Sequence, residues 1–390
     1  MQKRFMRPLI ILLIIQFLVM VGFGIVIPIL PFFVAKLGGG ALALGIFMSV
    51  YSIMQFIFAP IWGRLSDRIG RRPVLLIGLG GYGLTFLMFG IINNLYLLIG
   101  LRALAGMVSS ATLPTTMAYL ADITEGVDRS KGMGMLGASM GLGMIFGPAL
   151  GGWLGHYSFS LPFFVAGGLA LLLLPFTWVF LPESLKQLNS AESGRRRPRL
   201  TFEVVKDSLF ALFAFNFVIS FTMSMFESTF ALLAAEKVGF GPREMGMTFA
   251  ILGIFAVIVQ GGLIGQLVKK FGEVSLVKFG AVLSSIGLIL IILSGNAMLL
   301  VMSTVIFMVG NSLMTPTSSS LVSKRSSQGQ GASLGVFQSF ASLGRVFGPV
   351  TDGALFEIRI GLPYATGATL LVLIVLVAGS KISVKAQPLV

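Results

Sequence analysis

Twelve apolar runs, each long enough to cross a bilayer, alternate with short polar turns along this 390-residue chain. A hydrocarbon core of about 30 Å takes about 20 apolar residues as a helix. Inside lipid every backbone N–H and C=O must be satisfied within the protein, so such runs predict helices. The expected spans are 8–35, 42–62, 73–93, 95–121, 131–155, 161–181, 208–235, 244–268, 274–294, 298–321, 332–356 and 361–383. Composition agrees, with 56% hydrophobic and 11% charged residues, where an ordinary soluble domain has about 25% charged. The chain reads as an all-α polytopic membrane protein. Basic Met1–Arg7 followed by an apolar run has the look of a signal peptide. The run continues to Val34, beyond an h-region of about 7–15 residues, so it is read as an uncleaved first span.

The chain is also two related halves in tandem. Lys36, Gly38 and Gly45 recur as Lys237, Gly239 and Gly246, and Gly147-Pro148 as Gly348-Pro349, all at an offset of 201. Gly63, Leu65 and Gly70 recur as Gly265, Leu267 and Gly272, and Pro114 as Pro316, at 202. The expected domains are residues 1–184, a linker at 185–207, and 208–390. Parallel repeats of this kind occur in transporters. The net charge of +14 follows from topology and does not point to nucleic acid. Of 28 Lys and Arg, 22 fall in segments placed on the cytoplasmic side, as the positive-inside rule requires. An even number of spans puts both termini in the cytoplasm. The basic linker around Arg195–Arg199 is read as solvated, with contact to anionic lipid headgroups as the alternative.

Between the second and third runs lies Gly63-Arg64-Leu65-Ser66-Asp67-Arg68-Ile69-Gly70-Arg71-Arg72, read as a tight cytoplasmic turn. It resembles the loop after the second span of major facilitator superfamily transporters, written roughly G-x-L-[AS]-D-R-x-G-R-R, and meets every fixed position. Arg102 and Gly106 in the fourth span match the family's R-x-x-x-G motif, in which the arginine is associated with proton coupling. Read from the residues alone, Arg102 is either an arginine snorkelling to the interface or one held at a functional position. The fifth span carries Gly137, Gly141, Gly143, Gly147, Pro148, Gly151 and Gly152, read as a groove along one face that admits a close helix neighbour. Its G-x-x-x-G-P-x-x-G-G pattern resembles the motif of superfamily members that export by antiport.

Polar groups within the spans are few, and each is a candidate site. Glu227 in the seventh span has no basic residue within nine positions. It is either a neutral hydrogen-bonding group or a proton carrier, and it matches an acidic position in Gram-positive multidrug exporters. Several of those exporters have a second acid in the tenth span, where this chain has Asn311. Arg345 and Asp352 in the eleventh span lie seven residues apart on roughly one face. They are read as a charge-neutralising pair, or Asp352 as a second proton site. Gln16 and Gln55 suit helix–helix bonding or a ligand. Met20, Met107, Met223 and Met314 suit an apolar, adaptable pocket.

The resemblance implies two pseudo-symmetric six-helix bundles around a central cavity, in a bacterial cytoplasmic membrane. It implies a proton-coupled antiporter exporting lipophilic, cationic drugs or dyes. A dedicated exporter of one metabolite, sugar or lipid is the alternative. Asp67 is expected to cap the N-terminus of the eleventh span, and Asp122 to hold Arg68 or Arg71; with Gly63, Gly70 and Arg72 these form the gating loop. The expected partners are a small lipophilic substrate, protons and the bilayer, and the expected state is a monomer. No enzyme is expected, and no metal or cofactor: the chain has no Cys, one His (His156), and no P-loop or H-E-x-x-H motif. A proton gradient would supply the energy.

Overall fold

The computed structural model describes residues 3–124, 126–185, 207–326 and 330–383, so most of the expected linker, including Arg195–Arg199, lies outside the described residues. The helices are α1 (Lys3–Val26), α2 (Leu30–Lys36), α3 (Ala41–Ile69), α4 (Arg71–Ile91), α5 (Leu95–Ser109), α6 (Thr112–Ile123), α7 (Gly126–Tyr157) and α8 (Leu161–Phe180). They continue as α9 (Asp207–Val238), α10 (Pro242–Val257), a π-helical turn (Ile258–Leu263), α11 (Ile264–Phe271), α12 (Glu273–Leu293), α13 (Ala297–Arg325), α14 (Gln330–Ile358) and α15 (Leu362–Ser383). All twelve expected spans appear as helix, three of them interrupted. The first divides into α1 and α2 beside Pro28 and Pro31, where proline removes a backbone donor. The fourth divides at Ser110-Ala111, and the eighth passes through the π turn at Gly261-Gly262.

Eleven helical stretches among the described residues are long and apolar enough to cross a membrane. The remaining expected span, the eleventh, is α14, with 29 residues or about 43 Å of helix. Its glycines and serines, with Arg345 and Asp352, make it the most polar of the set.

Local signals recur with the repeat. The positive-φ residues are all glycines: Gly38 (80°), Gly70 (107°), Gly239 (70°) and Gly272 (77°), two pairs of repeat partners. Only glycine adopts this geometry freely. Asn94 caps α5 by accepting from the amides of Tyr96 and Leu97 at 3.0 and 3.1 Å. Asn296, 202 residues on, caps α13 through Leu299 N at 2.9 Å. Each side-chain oxygen satisfies amides that the helix leaves open.

The expected turn at 63–72 is much shorter than ten residues. α3 runs to Ile69 and α4 starts at Arg71, so Gly70 alone reverses the chain. Gly63 lies inside α3 with open space beside it, and is a helical residue with no part in the reversal.

The chain forms two compact units. The first comprises residues 1–39, 50–195 and 240–250, and the second comprises 40–49, 196–239 and 251–390. In the first unit α1 packs on α7 and α8, and α4 on α5 and α8. Its aromatic core includes Phe86, Phe89 and Phe163, with Phe89 and Phe163 centroids 5.6 Å apart. In the second unit α9 packs on α14, and α12 on α13 and α15. Phe226 there stacks on Phe230 and meets Phe307 at 4.9 Å.

Candidate substrate and proton sites

Glycines set the tightest helix contacts in each unit. A Cβ on Gly143 or Gly147 of α7 would come within 2.7 Å of Phe17 O and 2.5 Å of Val21 O on α1, and one on Gly151 would strike Ile25. Gly344 and Gly348 of α14 repeat the arrangement, with Phe217 O and Phe221 O of α9 at 2.7 and 2.8 Å. Gly152 instead meets Gly246 Cα and Pro242 O of α10, both at 2.5 Å, and Pro148 offers its carbonyl to Gly246 at 2.8 Å.

The expected single groove is thereby corrected. Gly143, Gly147 and Gly151 share a face because steps of four residues nearly complete a helical turn. Gly137 and Gly141 point elsewhere, with no atom within 4 Å of an added Cβ. Polar bonds reinforce the same helix pairs. Ser139 Oγ donates to Leu13 O at 2.6 Å, and Asn216 Nδ2 donates to Phe337 O at 2.7 Å.

Arg102 is buried, with 3% of its surface exposed, which excludes snorkelling. Its guanidinium lies over the Tyr51 ring, 4.1 Å from the centroid, a favourable cation–π geometry. Gly106 makes this possible, since a Cβ there would meet Tyr51 O at 2.6 Å. The Tyr51 hydroxyl hydrogen-bonds Ser109 Oγ at 2.9 Å and accepts from Gln55 Nε2 at 3.1 Å. The sequence reading had missed Tyr51; the glycine one turn after Arg102 is the signal that a neighbouring helix approaches there.

In the second unit Glu227 on α9 is half-buried. The charge acting on it is Arg345 of α14, which also donates to Ser342 Oγ at 3.2 Å. The expected Arg345–Asp352 pairing is not seen: neither residue makes an ion pair among the described residues. Asn311 is half-buried and takes a hydrogen bond at its carbonyl from Thr315 Oγ1 at 3.2 Å. Met20, Met107 and Met223 are half-buried, Met20 beside Gly143.

Two expected cavity residues are buried and present no surface. Met314 fits against Gly280 of α12 and is 1% exposed. Gln16 is fully buried, and its amide has no hydrogen-bond partner among the described residues.

At the Gly70 reversal Arg71 organises the charges. It pairs with Asp67 at 2.5 Å and with Asp122 at 3.1 Å, and donates to Ser66 Oγ at 2.7 Å. Asp122 thus holds Arg71, one of the two expected partners, and Arg68 is exposed. Arg72 donates to Trp178 O. Sequence reasoning missed Glu183, whose carboxylate accepts from the amides of Arg71 and Arg72 at 2.9 and 3.1 Å. It caps α4 and opposes the positive end of that helix. Glu183→Ala is expected to cost about 0.5–2 kcal/mol, as other lost caps do. A lowered melting temperature of the purified protein would register it; an unchanged one would show that Glu183 is not a working cap. In the second unit Glu357 of α14 accepts from Leu42 N at 3.0 Å and so caps α3.

Comparison with known proteins followed. The Major Facilitator Superfamily family profile matches residues 12–349. Multidrug resistance protein 2 of Bacillus subtilis is 31% identical over 364 residues, covering 91% of this chain and 90% of the relative. Quinolone resistance protein NorA of Staphylococcus aureus is 27% identical, covering 89% of each. Among solved structures, a bacterial homologue of the human lysosomal transporter Spinster, inward-facing and occupied, has the same fold. Its TM-score is 0.79 at 13% identity, covering 96% of this chain and 95% of that one.

Proposed function

We propose, from the premise that this chain belongs to the Major Facilitator Superfamily, that it is a proton-coupled antiporter exporting lipophilic, cationic drugs or dyes from a bacterial cell. Relatives named for multidrug and quinolone resistance support the substrate class. The observation that carries the mechanism is Glu227, a half-buried carboxyl on a membrane-spanning helix. An acid at such a position commonly marks a proton or substrate path.

In this reading the ionised Glu227 attracts a lipophilic cation into an apolar site to which Met223, one turn before it on α9, contributes. A proton arriving from outside converts the carboxylate to the acid, removes the attraction and releases the cation. Arg345 balances Glu227 while the site is empty. Arg102 and Glu227 are assigned to proton coupling. The gradient does work because the two access states bind proton and substrate with different affinity. Both termini are placed in the cytoplasm, and the protein acts as a monomer with no cofactor.

Inverted membrane vesicles test the reading. Accumulation of a cationic dye is expected when the vesicle lumen is acidified, and it should collapse on addition of a protonophore. Accumulation that survives the protonophore would overturn proton coupling. Failure of every cationic dye, alongside transport of one sugar or metabolite, would favour a dedicated exporter.

The Asp67 latch remains a proposal. Asp67→Asn should remove its pairing with Arg71, shifting the access equilibrium by about 0.3–1 kcal/mol. Efflux should slow by about two- to fivefold, which is that energy expressed as a ratio, with dye binding unchanged. Ser66 and Ser333 make poor label sites, because both are buried. Arg68 and Gly335 are exposed and suit spin-label distance measurements. Distances and efflux both unaltered by Asp67→Asn would sink the latch.

A further inference from the structure

α14 carries a carboxyl where the first half of the chain has a glycine. Gly143, Gly147 and Gly151 of α7 correspond at 201 residues to Gly344, Gly348 and Asp352 of α14. The first two pairs make the same close contact with α1 and α9 respectively. At the third step Gly151 presses directly on Ile25 of α1. The second unit instead buries Asp352 completely, at 0% exposure.

The surroundings answer the acid. Thr229 of α9 donates to Asp352 Oδ1 at 3.0 Å. The same hydroxyl lies 3.2 Å from Tyr364 Oη of α15. Asp352 Oδ2 has no hydrogen bond of normal geometry among the described residues, and the buried Ser228 hydroxyl lies beside the carboxyl. A narrow cleft beside the carboxyl, lined by Thr222, Met225, Phe226, Leu288 and Tyr364, is too small for a water molecule. Tyr364 is the titratable group that faces it, and no cation pairs with it among the described residues. An uncompensated charge in such a place costs several kcal/mol. A proton on Oδ2 removes that charge and turns the oxygen from an acceptor into a donor.

We propose that Asp352, Ser228, Thr229 and Tyr364 form a second proton-binding site, walled off from the substrate and distinct from Glu227. The inference rests on the antiport reading and deepens it. Glu227 lies only two residues before Thr229, about 3 Å along α9, but the two acids differ in burial: Glu227 is half-buried and Asp352 is fully buried. The substrate cation competes for Glu227 but has no access to Asp352. A proton reaches Asp352 along the hydroxyls: Tyr364 receives one proton and passes one to Thr229, which passes its own to Asp352 Oδ1. Carboxyl rotation then presents it to Ser228. Two protons therefore enter for each monovalent cation expelled, and each cycle moves net charge.

Proteoliposomes of the full-length protein test this with a monovalent cationic dye. Wild type is expected to respond to a membrane potential imposed at zero pH gradient, because two protons exchange for one positive charge. Asp352→Asn should lose the potential response and keep transport driven by a pH gradient, since one proton for one charge is electroneutral. A potential response equal to wild type in Asp352→Asn would overturn the second site. Absence of all gradient-driven dye transport in wild type would instead overturn the antiport reading, and the stoichiometry with it.

Infrared spectroscopy of purified protein reports on the same carboxyl without transport. The carbonyl stretch of a protonated acid should disappear in Asp352→Asn and persist in Glu227→Gln, and a spectrum unchanged in Asp352→Asn would refute the assignment. If Asp352→Asn fails to fold, Thr229→Val serves. It keeps the acid, removes its donor, and should shift that band and diminish the potential response; no change in either would count against the site.

Discussion

Glu227→Gln is expected to leave the protein folded and to abolish gradient-driven efflux. The amide nearly matches the carboxyl in shape but carries no titratable proton. The loss should reach about a hundredfold, the low end of what a positioned proton-transfer group contributes. Arg345 loses its balancing carboxylate in this variant. Breaking a fully buried pair costs about 3–5 kcal/mol, but both groups here are half-buried and form no direct salt bridge among the described residues. The penalty should be smaller, and thermal stability should fall only slightly. Efflux of a cationic dye under a fixed pH gradient is the measurement, with membrane expression as the control. Efflux at the wild-type rate would remove Glu227 from the coupling mechanism.

The sequence made the spans legible because lipid leaves the backbone few options, and hydropathy reads that constraint directly. The tandem repeat was legible for a related reason. Its landmarks are glycines and prolines, whose backbone demands recur wherever the fold recurs, as at Gly38 and Gly239 or Gly70 and Gly272. Partners distant in sequence were not legible. Nothing near Glu183 says that its carboxylate will cap α4, 112 positions away by sequence. Arg345 and Asp352 share one helix and looked like a pair, yet Asp352 bonds Thr229 on α9 while Arg345 bonds Ser342 on its own helix. Seven residues is two turns, too long for direct contact, and the cross-helix neighbour decides. Gln16 and Asn216 illustrate the same limit. They hold nearly equivalent positions in the two halves, but only Asn216 finds an acceptor, Phe337 O.

Gly147→Leu should be far more damaging than Gly141→Leu, although both glycines sit in one Gly-rich stretch of α7. An added Cβ at position 147 would lie 2.5 Å from Val21 O and 2.9 Å from Gly24 Cα. Those are backbone atoms of α1, and they cannot turn aside as a flexible side chain would. The two helices must separate along the whole contact, which also carries the Ser139–Leu13 hydrogen bond and the Gly143 and Gly151 approaches. Overpacking a tight core costs about 1–3 kcal/mol, and a backbone-to-backbone contact falls at the upper end. Gly147→Leu should therefore lower the melting temperature and eliminate efflux. Position 141 has no atom within 4 Å of an added Cβ, so leucine there should leave stability unchanged and efflux near wild type. Gly348→Leu supplies an internal control, because its Cβ would meet Phe221 O at 2.8 Å in the equivalent place, and it should behave like Gly147→Leu. Equal tolerance of leucine at 141, 147 and 348 would show that close α1–α7 and α9–α14 packing does not limit this fold. Loss of efflux in Gly141→Leu at unchanged melting temperature would show that another helix approaches this face during transport.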